Sequence, residues 1–408
     1  MLKGNAVVGQ SGGPTTVINS SLAAVIEAAV GREEIKHVLG MSFGIEGFMK
    51  EQFLDLSAQS EAIIKGLRKT PSSALGSSRH KLVEEDFPRI LEVLKKYDIR
   101  YFFLIGGNDT MDTIHRVEEY CRKEGYELRG VGIPKTVDND LYGTDHSPGF
   151  ASAARSNILN VLQAGVLARD MKRVDQFLVY QTIGRDAGWL AGACALASKS
   201  PSDAPHLIYC PERPFNRAEF LEDARECISK YGWVSVVVSE GLLYKNGTPV
   251  SAAQSKDKFN NTEFGAMGGA SVALNVHKML NEVLKDARGE FQIPESLIMS
   301  AMDRAEKIDL DEAWDCGREA VRLAVSGESG VMVSIERVES DPVSFRMGKV
   351  PLESVAVRAK ALPDVFINER GNYVTEEFLD YMRPLVSELP EFITLEQKLY
   401  STNREEEK

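Results

Sequence analysis

The strongest constraint on the fold is a unit repeated through the first third of the chain: a short apolar run, a turn rich in glycine or acid, then an apolar stripe at helical spacing. Ala6-Val7-Val8 leads into Gly9-Gln10-Ser11-Gly12-Gly13-Pro14 and then into the stripe Ile18, Leu22, Val25, Ile26 and Ala29. Helically spaced Phe87, Ile90, Leu91 and Leu94 precede Tyr101-Phe102-Phe103-Leu104-Ile105, the turn Gly106-Gly107-Asn108-Asp109-Thr110, and a second stripe at Met111, Ile114 and Val117. A third run, Val131-Gly132-Ile133, ends at Pro134. Strands apolar on both faces must be covered on both faces, and their alternation with helices predicts an α/β fold built on a parallel sheet. Further strands are expected at 176–180, 206–209, 233–238 and 331–335, with helices over 187–197 and 218–230.

The 408 residues are enough for two domains of ordinary size, and no linker marks a boundary. With 43% hydrophobic and 26% charged residues the chain reads as a folded protein, neither disordered nor fibrous. Its 48 Lys+Arg against 60 Asp+Glu leave a net charge of −12, which argues against nucleic acid or an anionic membrane as the main partner. A local basic pocket remains compatible with that balance. The five cysteines, Cys121, Cys194, Cys210, Cys227 and Cys316, form no pair at metal or redox spacing and suit a reducing, cytoplasmic setting. Apolar stretches such as 101–105 and 234–238 are far shorter than the ~20 residues a membrane helix needs. Residues 404–408 read as a solvated tail.

Ligands of open parallel sheets collect at the carboxyl ends of the strands, where turns present backbone N–H groups. Gly12-Gly13 lets backbone approach an anion such as phosphate; a plain tight turn before the next helix is the alternative. Asn108 and Asp109 offer oxygens to hydrated Mg²⁺ beside a second such turn, or simply cap a helix. The most informative segment is Pro134-Lys135-Thr136-Val137-Asp138-Asn139-Asp140. Directly after a strand it supplies one carboxylate for proton abstraction, a second for metal or orientation, and a cation for phosphate charge. The Rossmann dinucleotide, Walker and zinc-protease motifs are missing from the sequence.

Gly-Gly-Asn-Asp-Thr and Pro-Lys-Thr-Val-Asp-Asn-Asp together resemble the metal-phosphate and catalytic loops of the phosphofructokinase family. Further matches follow in order: Gly9-Gln10-Ser11-Gly12-Gly13-Pro14-Thr15, Gly76-Ser77-Ser78-Arg79, Ile183-Gly184-Arg185, Ser239-Glu240-Gly241, Asp303-Arg304-Ala305 and Val350-Pro351-Leu352-Glu353. The resemblance implies two interleaved Rossmann-like three-layer domains with mainly parallel sheets. Residues 1–150 plus roughly 305–355 would hold the phosphoryl donor, and 151–304 plus roughly 356–408 the sugar phosphate. It implies that Asp138 takes the proton of the sugar 1-hydroxyl, with Lys135 and Arg185 as further catalytic groups. Gly12, Gly13, Arg79, Asp109, Thr136, Asp140, Ile183, Gly184, Glu240 and Arg304 would bind substrate, and Asn108 would meet the Mg²⁺.

ATP-dependent members usually carry Asp-Gly after the Gly-Gly pair. Here the second position is Asp109, whose carboxylate would crowd and repel a nucleotide α-phosphate, while Lys135 offers a cation to a small, highly charged donor. The pair resembles the pyrophosphate-dependent class. Reversible, Mg²⁺-dependent transfer from pyrophosphate to fructose 6-phosphate, in glycolysis or gluconeogenesis, is the implied activity. An ATP-dependent 6-phosphofructokinase and a non-catalytic sugar-phosphate-binding regulatory subunit are the alternatives. A homodimer or homotetramer in the cytoplasm is implied as well. Three departures stand out: Asn108 in place of an aspartate, Ala301 where a Tyr or His would touch the sugar phosphate, and 257–263 in place of a Gly-His form. They point to weaker metal ligation and to a looser sugar site, open to sedoheptulose 7-phosphate.

Overall fold

The computed structural model describes residues 2–251, 270–284, 287–356 and 358–395. In chain order its strands are β1 (Gly4–Gln10), β2 (Ile35–Met41), β3 (Phe53–Asp55), β4 (Ile99–Gly106), β5 (Arg129–Pro134), β6 (Asp175–Thr182), β7 (Leu207–Tyr209), β8 (Val234–Ser239), β9 (Arg288–Gln292), β10 (Val331–Val338) and β11 (Ser344–Pro351). They form a seven-stranded sheet in the order β11-β10-β5-β4-β1-β2-β3 and a four-stranded sheet in the order β7-β8-β6-β9. All pairings are parallel except β10 with β11 and β2 with β3 at the two edges of the larger sheet. The expected α/β class with mainly parallel sheets is what the chain adopts.

The continuous apolar runs have a direct packing cause. Along β1 and β4, Ala6, Val8, Tyr101 and Phe103 enter one core with Ile18, Ile26 and Val321. Their neighbours Val7, Phe102 and Leu104 enter another on the opposite face, with Ile90, Met111 and Ile114. Side chains of a strand alternate between faces, so a strand buried on both sides has no polar position to interrupt the run. Phe102 and Phe103 are fully buried, and removing either ring is expected to cost about 3–5 kcal/mol. The smaller sheet repeats the pattern, with Phe177, Val179 and Val236 on one side and Leu178, Tyr180 and Val237 on the other.

Four strands carry no such run. In β2 the exposed Lys36 and His37 separate Ile35 from Val38, and much of β9 and β11 faces solvent. The short β3 lies, like β9 and β11, at a sheet edge. Edge strands with one wetted side lose the signal by which central strands are recognised. The first helix begins at Ile18, where its apolar stripe starts. One helical expectation shifts: 187–197 becomes a short helix, Trp189–Ala193, followed by a 3₁₀ turn at Cys194–Ala197.

Register places the turns. Gln10 pairs with Ile105 and Gly106 with Pro134, so β1, β4 and β5 end at nearly one level and deliver their turns side by side. In the smaller sheet Thr182 pairs with Ser239, which sets Ile183-Gly184-Arg185 beside Glu240-Gly241. After β9 the chain returns through the helix Lys307–Val325 and adds β10 alongside β5. Segment 257–263 and tail 404–408 lie outside the described residues. No described helix is long and apolar enough to cross a membrane, and all five cysteines are free.

Candidate active site

The turns meet in one cleft of about 510 Å³, lined by Gly12, Gly13, Arg79, Asn108, Asp109, Lys135, Thr136, Asp138, Asp140, Ile183, Arg185 and Glu240 among others. Gly184 sits just behind it, its backbone N–H donating to Glu240 Oε1 at 3.3 Å. Arg304 does not line this cleft. It lines the adjoining cavity of about 880 Å³ with Asn160, Tyr180, Gln292 and Ser300, where it donates to Asn160 Oδ1 and, at 3.3 Å, to the carbonyl of Ser156. Met299, on the same segment as Arg304, forms part of the main cleft's wall.

The glycine turn and Lys135 form one unit. Gly12 has φ +76°, and a Cβ there would stand 3.3 Å from Lys135 Nζ. The amine donates to the carbonyl of Gly13 at 2.6 Å. One of its three N–H groups is thereby used and the others remain for a ligand. Lys135 is nearly fully buried. Desolvation lowers its pKa to about 8, partly opposed by Asp138 and Asp140. An anion entering the cleft would favour its charged form.

Asn139 is fully buried and has φ +56°, a left-handed conformation that asparagine tolerates better than most residues. Its side chain turns inward, donating to the Tyr381 hydroxyl at 3.1 Å, while Asp138 and Asp140 both line the cleft. One oxygen of Asp138 is buried without a hydrogen-bond partner. Burial, Asp140 and Glu240 hold Asp138 well above the usual carboxylate range, against the pull of Lys135 and Arg185. Burial also raises Asp140 and carries Glu240 up to about 7.

Asn108 does not serve as a helix cap, since no side chain caps the helix Asn108–Lys123. Its Nδ2 donates to Asp140 Oδ2 at 3.1 Å, and its Oδ1 is buried with no hydrogen-bond partner. Asp109 lies at the mouth instead, its side chain 78% exposed and 3.3 Å from the amine of Lys81. Across the cleft, a Cβ on Gly241 would come within 1.6 Å of the Arg185 carbonyl oxygen, so only glycine lets the two loops pack together.

Several residues of the site lie outside the motifs. Lys81 faces Asp109, Tyr381 holds Asn139, and Lys360 donates to Asn139 Oδ1 at 3.2 Å. Lys360 and Tyr381 are more than 200 positions from the loop they touch, and a single lysine or tyrosine there has no pattern to distinguish it. Lys81 follows two residues after Arg79, and its basic neighbour is the one signal that could have marked it.

A match to the phosphofructokinase family covers residues 5–292. The pyrophosphate–fructose 6-phosphate 1-phosphotransferase of Xanthomonas campestris pv. campestris (strain B100) is 38% identical over 393 residues, spanning 95% of this chain and 92% of its own. A sulfofructose kinase of Alkalicoccus urumqiensis is 31% identical over 370 residues, spanning 90% and 92%. The crystal structure of a pyrophosphate-dependent phosphofructokinase from Nitrosospira multiformis has a TM-score of 0.85 at 36% identity, covering 97% of this chain and 94% of that one. A family match over residues 5–292, with sequence and structural similarity covering 95% or more of the chain, makes the chain a member of the phosphofructokinase family.

Proposed function

We propose that the chain transfers a phosphoryl group from pyrophosphate to the 1-hydroxyl of fructose 6-phosphate, giving fructose 1,6-bisphosphate and phosphate. One observation carries the reading: Asp138, Lys135 and the Gly12-Gly13 turn share a single cleft whose mouth is occupied by the Asp109 carboxylate. Phosphoryl transfer asks the protein for in-line positioning and charge neutralisation more than for covalent chemistry. Asp138, with a pKa raised toward the working pH, accepts the proton of the attacking hydroxyl. Lys135 and the backbone of Gly12-Gly13 face the transferring group and the leaving phosphate. Arg185 neutralises charge at the rim. Thr136, Asp140, Ile183, Gly184 and Glu240 hold the sugar, Arg79 the donor, and Arg304 the sugar's distal anion in the adjoining cavity.

Asp109 selects the donor. A nucleotide would have to run its α-phosphate and adenosine out past this carboxylate, whereas pyrophosphate ends before it; even with Lys81 offsetting part of its charge, the carboxylate disfavours ATP. The bonds broken and made are closer in energy with pyrophosphate than with ATP, so the reaction runs in both directions.

Oxygen donors suit Mg²⁺, and the unpartnered Oδ1 of Asn108 beside Asp138 and Asp140 fits it. Among the described residues no cluster of three or more His, Cys, Asp or Glu side chains is arranged for a metal, so the ion would be held by Asn108 and Asp140 together with pyrophosphate oxygens, leaving Asp138 free to act as base. Bound there, it would offset negative charge on those oxygens. We also read residues 1–150 with roughly 305–355 as the donor domain and 151–304 with roughly 356–408 as the sugar domain, supported by the return of β10 and β11 to the first sheet. A cytoplasmic homodimer or homotetramer completes the reading.

A second sugar is favoured by one observation. The Alkalicoccus relative is named for a sulfofructose, and position 301, which lines the adjoining cavity with Arg304, offers the sugar's distal anion only the methyl group of Ala301. Arg304 pairs with a sulfonate as with a phosphate. Turnover of the purified chain with pyrophosphate or ATP, against fructose 6-phosphate, sedoheptulose 7-phosphate and 6-deoxy-6-sulfofructose, tests donor and sugar together. Absence of turnover with either donor would overturn the enzymatic reading in favour of a regulatory subunit.

A further inference from the structure

Two loops must keep a fixed distance for this chemistry, the one carrying Asp138 and the one carrying Arg185. They belong to different sheets, following β5 and β6. A third segment, 359–362, touches both. Ala359 forms a bridge with Leu141, and the N–H of Lys360 donates to the carbonyl of Asp140 at 2.7 Å. The amine of Lys360 donates to Asn139 Oδ1 at 3.2 Å and to the carbonyls of Thr144 and Asp145 at 3.1 and 2.6 Å.

On its other side the segment reaches the second loop. The Lys360 amine lies 4.9 Å from the centre of the Trp189 ring, and Trp189 Nε1 donates to the Lys360 carbonyl at 3.2 Å. One oxygen of Glu212, Oε1, accepts from the N–H of Leu362 and from the N–H of Gly188, each at 2.9 Å. Gly188 closes the turn that begins at Gly184-Arg185 and opens the helix Trp189–Ala193.

Neither charged group is an economical way to fill space. The other oxygen of Glu212 is buried with no hydrogen-bond partner, and burial raises this carboxyl above its usual range. Burial likewise lowers the Lys360 amine to about 8. Apolar side chains would serve packing as well or better. What they could not supply is one atom holding two backbone N–H groups, or one amine holding three oxygens of a single loop.

We propose that segment 359–362, with Lys360 and Glu212 as positioning residues, is a strap that sets the spacing between the Asp138 and Arg185 loops. This rests on the roles given above to Asp138 and Arg185. Neither strap residue touches the reacting atoms, so loosening the strap misplaces reactants that are still bound. The signature is a fall in kcat with KM little changed.

Steady-state kinetics of the full chain with pyrophosphate and fructose 6-phosphate test it. Glu212→Ala and Lys360→Met are each expected to lower kcat about 30-fold, since small misplacements in such sites reduce rates up to about 100-fold, with both KM values within about threefold. Glu212→Gln keeps the accepting oxygen and is expected to recover kcat to within about threefold of the wild type. The double variant Glu212→Ala/Lys360→Met should be no more than about threefold worse than the poorer single, because residues acting as a unit are non-additive. Glu212→Gln as damaging as Glu212→Ala, losses that multiply in the double variant, or a rise in KM at unchanged kcat would each overturn the strap. If Lys360→Met does not fold, the Glu212 pair decides alone. Wild-type turnover abolished by Asp138→Ala separates the two levels: with that in hand, intact kcat in the strap variants sinks the strap only. A wild type without turnover, or an Asp138→Ala variant that keeps it, sinks the underlying reading and the strap with it.

Discussion

The two sides of the cleft are built in opposite ways. On the side we assign to the donor, three neighbouring strands of one sheet end level, and each delivers a contiguous turn whose residues are already engaged with one another: Lys135 with Gly13, Asn108 with Asp140. On the side we assign to the sugar, single residues come from separate segments. Glu240 follows β8, Gly184 follows β6, and Arg304 arrives from a 3₁₀ turn into a neighbouring cavity. The donor side is preformed by local sequence and the sugar side is assembled by tertiary packing, so changes to the first should act on the chemical step and changes to the second on sugar binding.

Asp138→Asn is expected to lower kcat by about 10³-fold or more, with KM for the sugar nearly unchanged, because a missing general base affects the transition state rather than the ground state. Lys135→Met should reduce kcat/KM for pyrophosphate about 100-fold while leaving sugar KM within a few-fold. Initial-rate kinetics over both substrates check each, and a sugar-KM effect as large as the rate effect would erase the division between the sides. On the other side, Arg304→Met should raise the KM for fructose 6-phosphate about 10- to 100-fold, the value of a charge-assisted hydrogen bond, with pyrophosphate KM unchanged. If the sugar KM does not move, Arg304 belongs to its cavity alone.

Buried His146, in the segment that follows the Asp138 loop, lies 2.8 Å from Asp145 and 2.7 Å from Glu312. Burial alone would lower its pKa, but the two carboxylates prevail and raise it from 6.5 to about 9. A folded-state pKa above the unfolded one stabilises fully below about pH 6.5 and is lost as pH rises through about 9. The expected loss is about 1–3 kcal/mol across that window. Denaturant midpoints at pH 6.5 and 9.5 measure it, and His146→Gln should flatten the difference; a wild type equally stable at both would contradict the assignment.

The same contrast explains what could be read from sequence. Central strands such as β1, β4 and β5 are visible because they are buried on both faces, and the turns after them are visible because their chemistry is contiguous. Edge strands β9 and β11 lack the apolar run. Lys360, Glu212 and Tyr381 lack any motif, since their meaning comes from partners up to 242 residues away. Arg304 was placed by family order alone, and order along a chain does not say which of two adjoining cavities a side chain enters. Asp109 could be named but not located: its position at the mouth, paired with Lys81, depends on how the helix Asn108–Lys123 meets the loop after Arg79.

Donor choice tests the account most directly: kcat/KM for pyrophosphate and for ATP, measured side by side with fructose 6-phosphate on the wild type and on Asp109→Gly. A carboxylate facing a nucleotide phosphate predicts a wild-type preference for pyrophosphate on the order of 10³-fold, and a gain in ATP use of about tenfold or more in the variant. A wild type that uses ATP as well as pyrophosphate would contradict it.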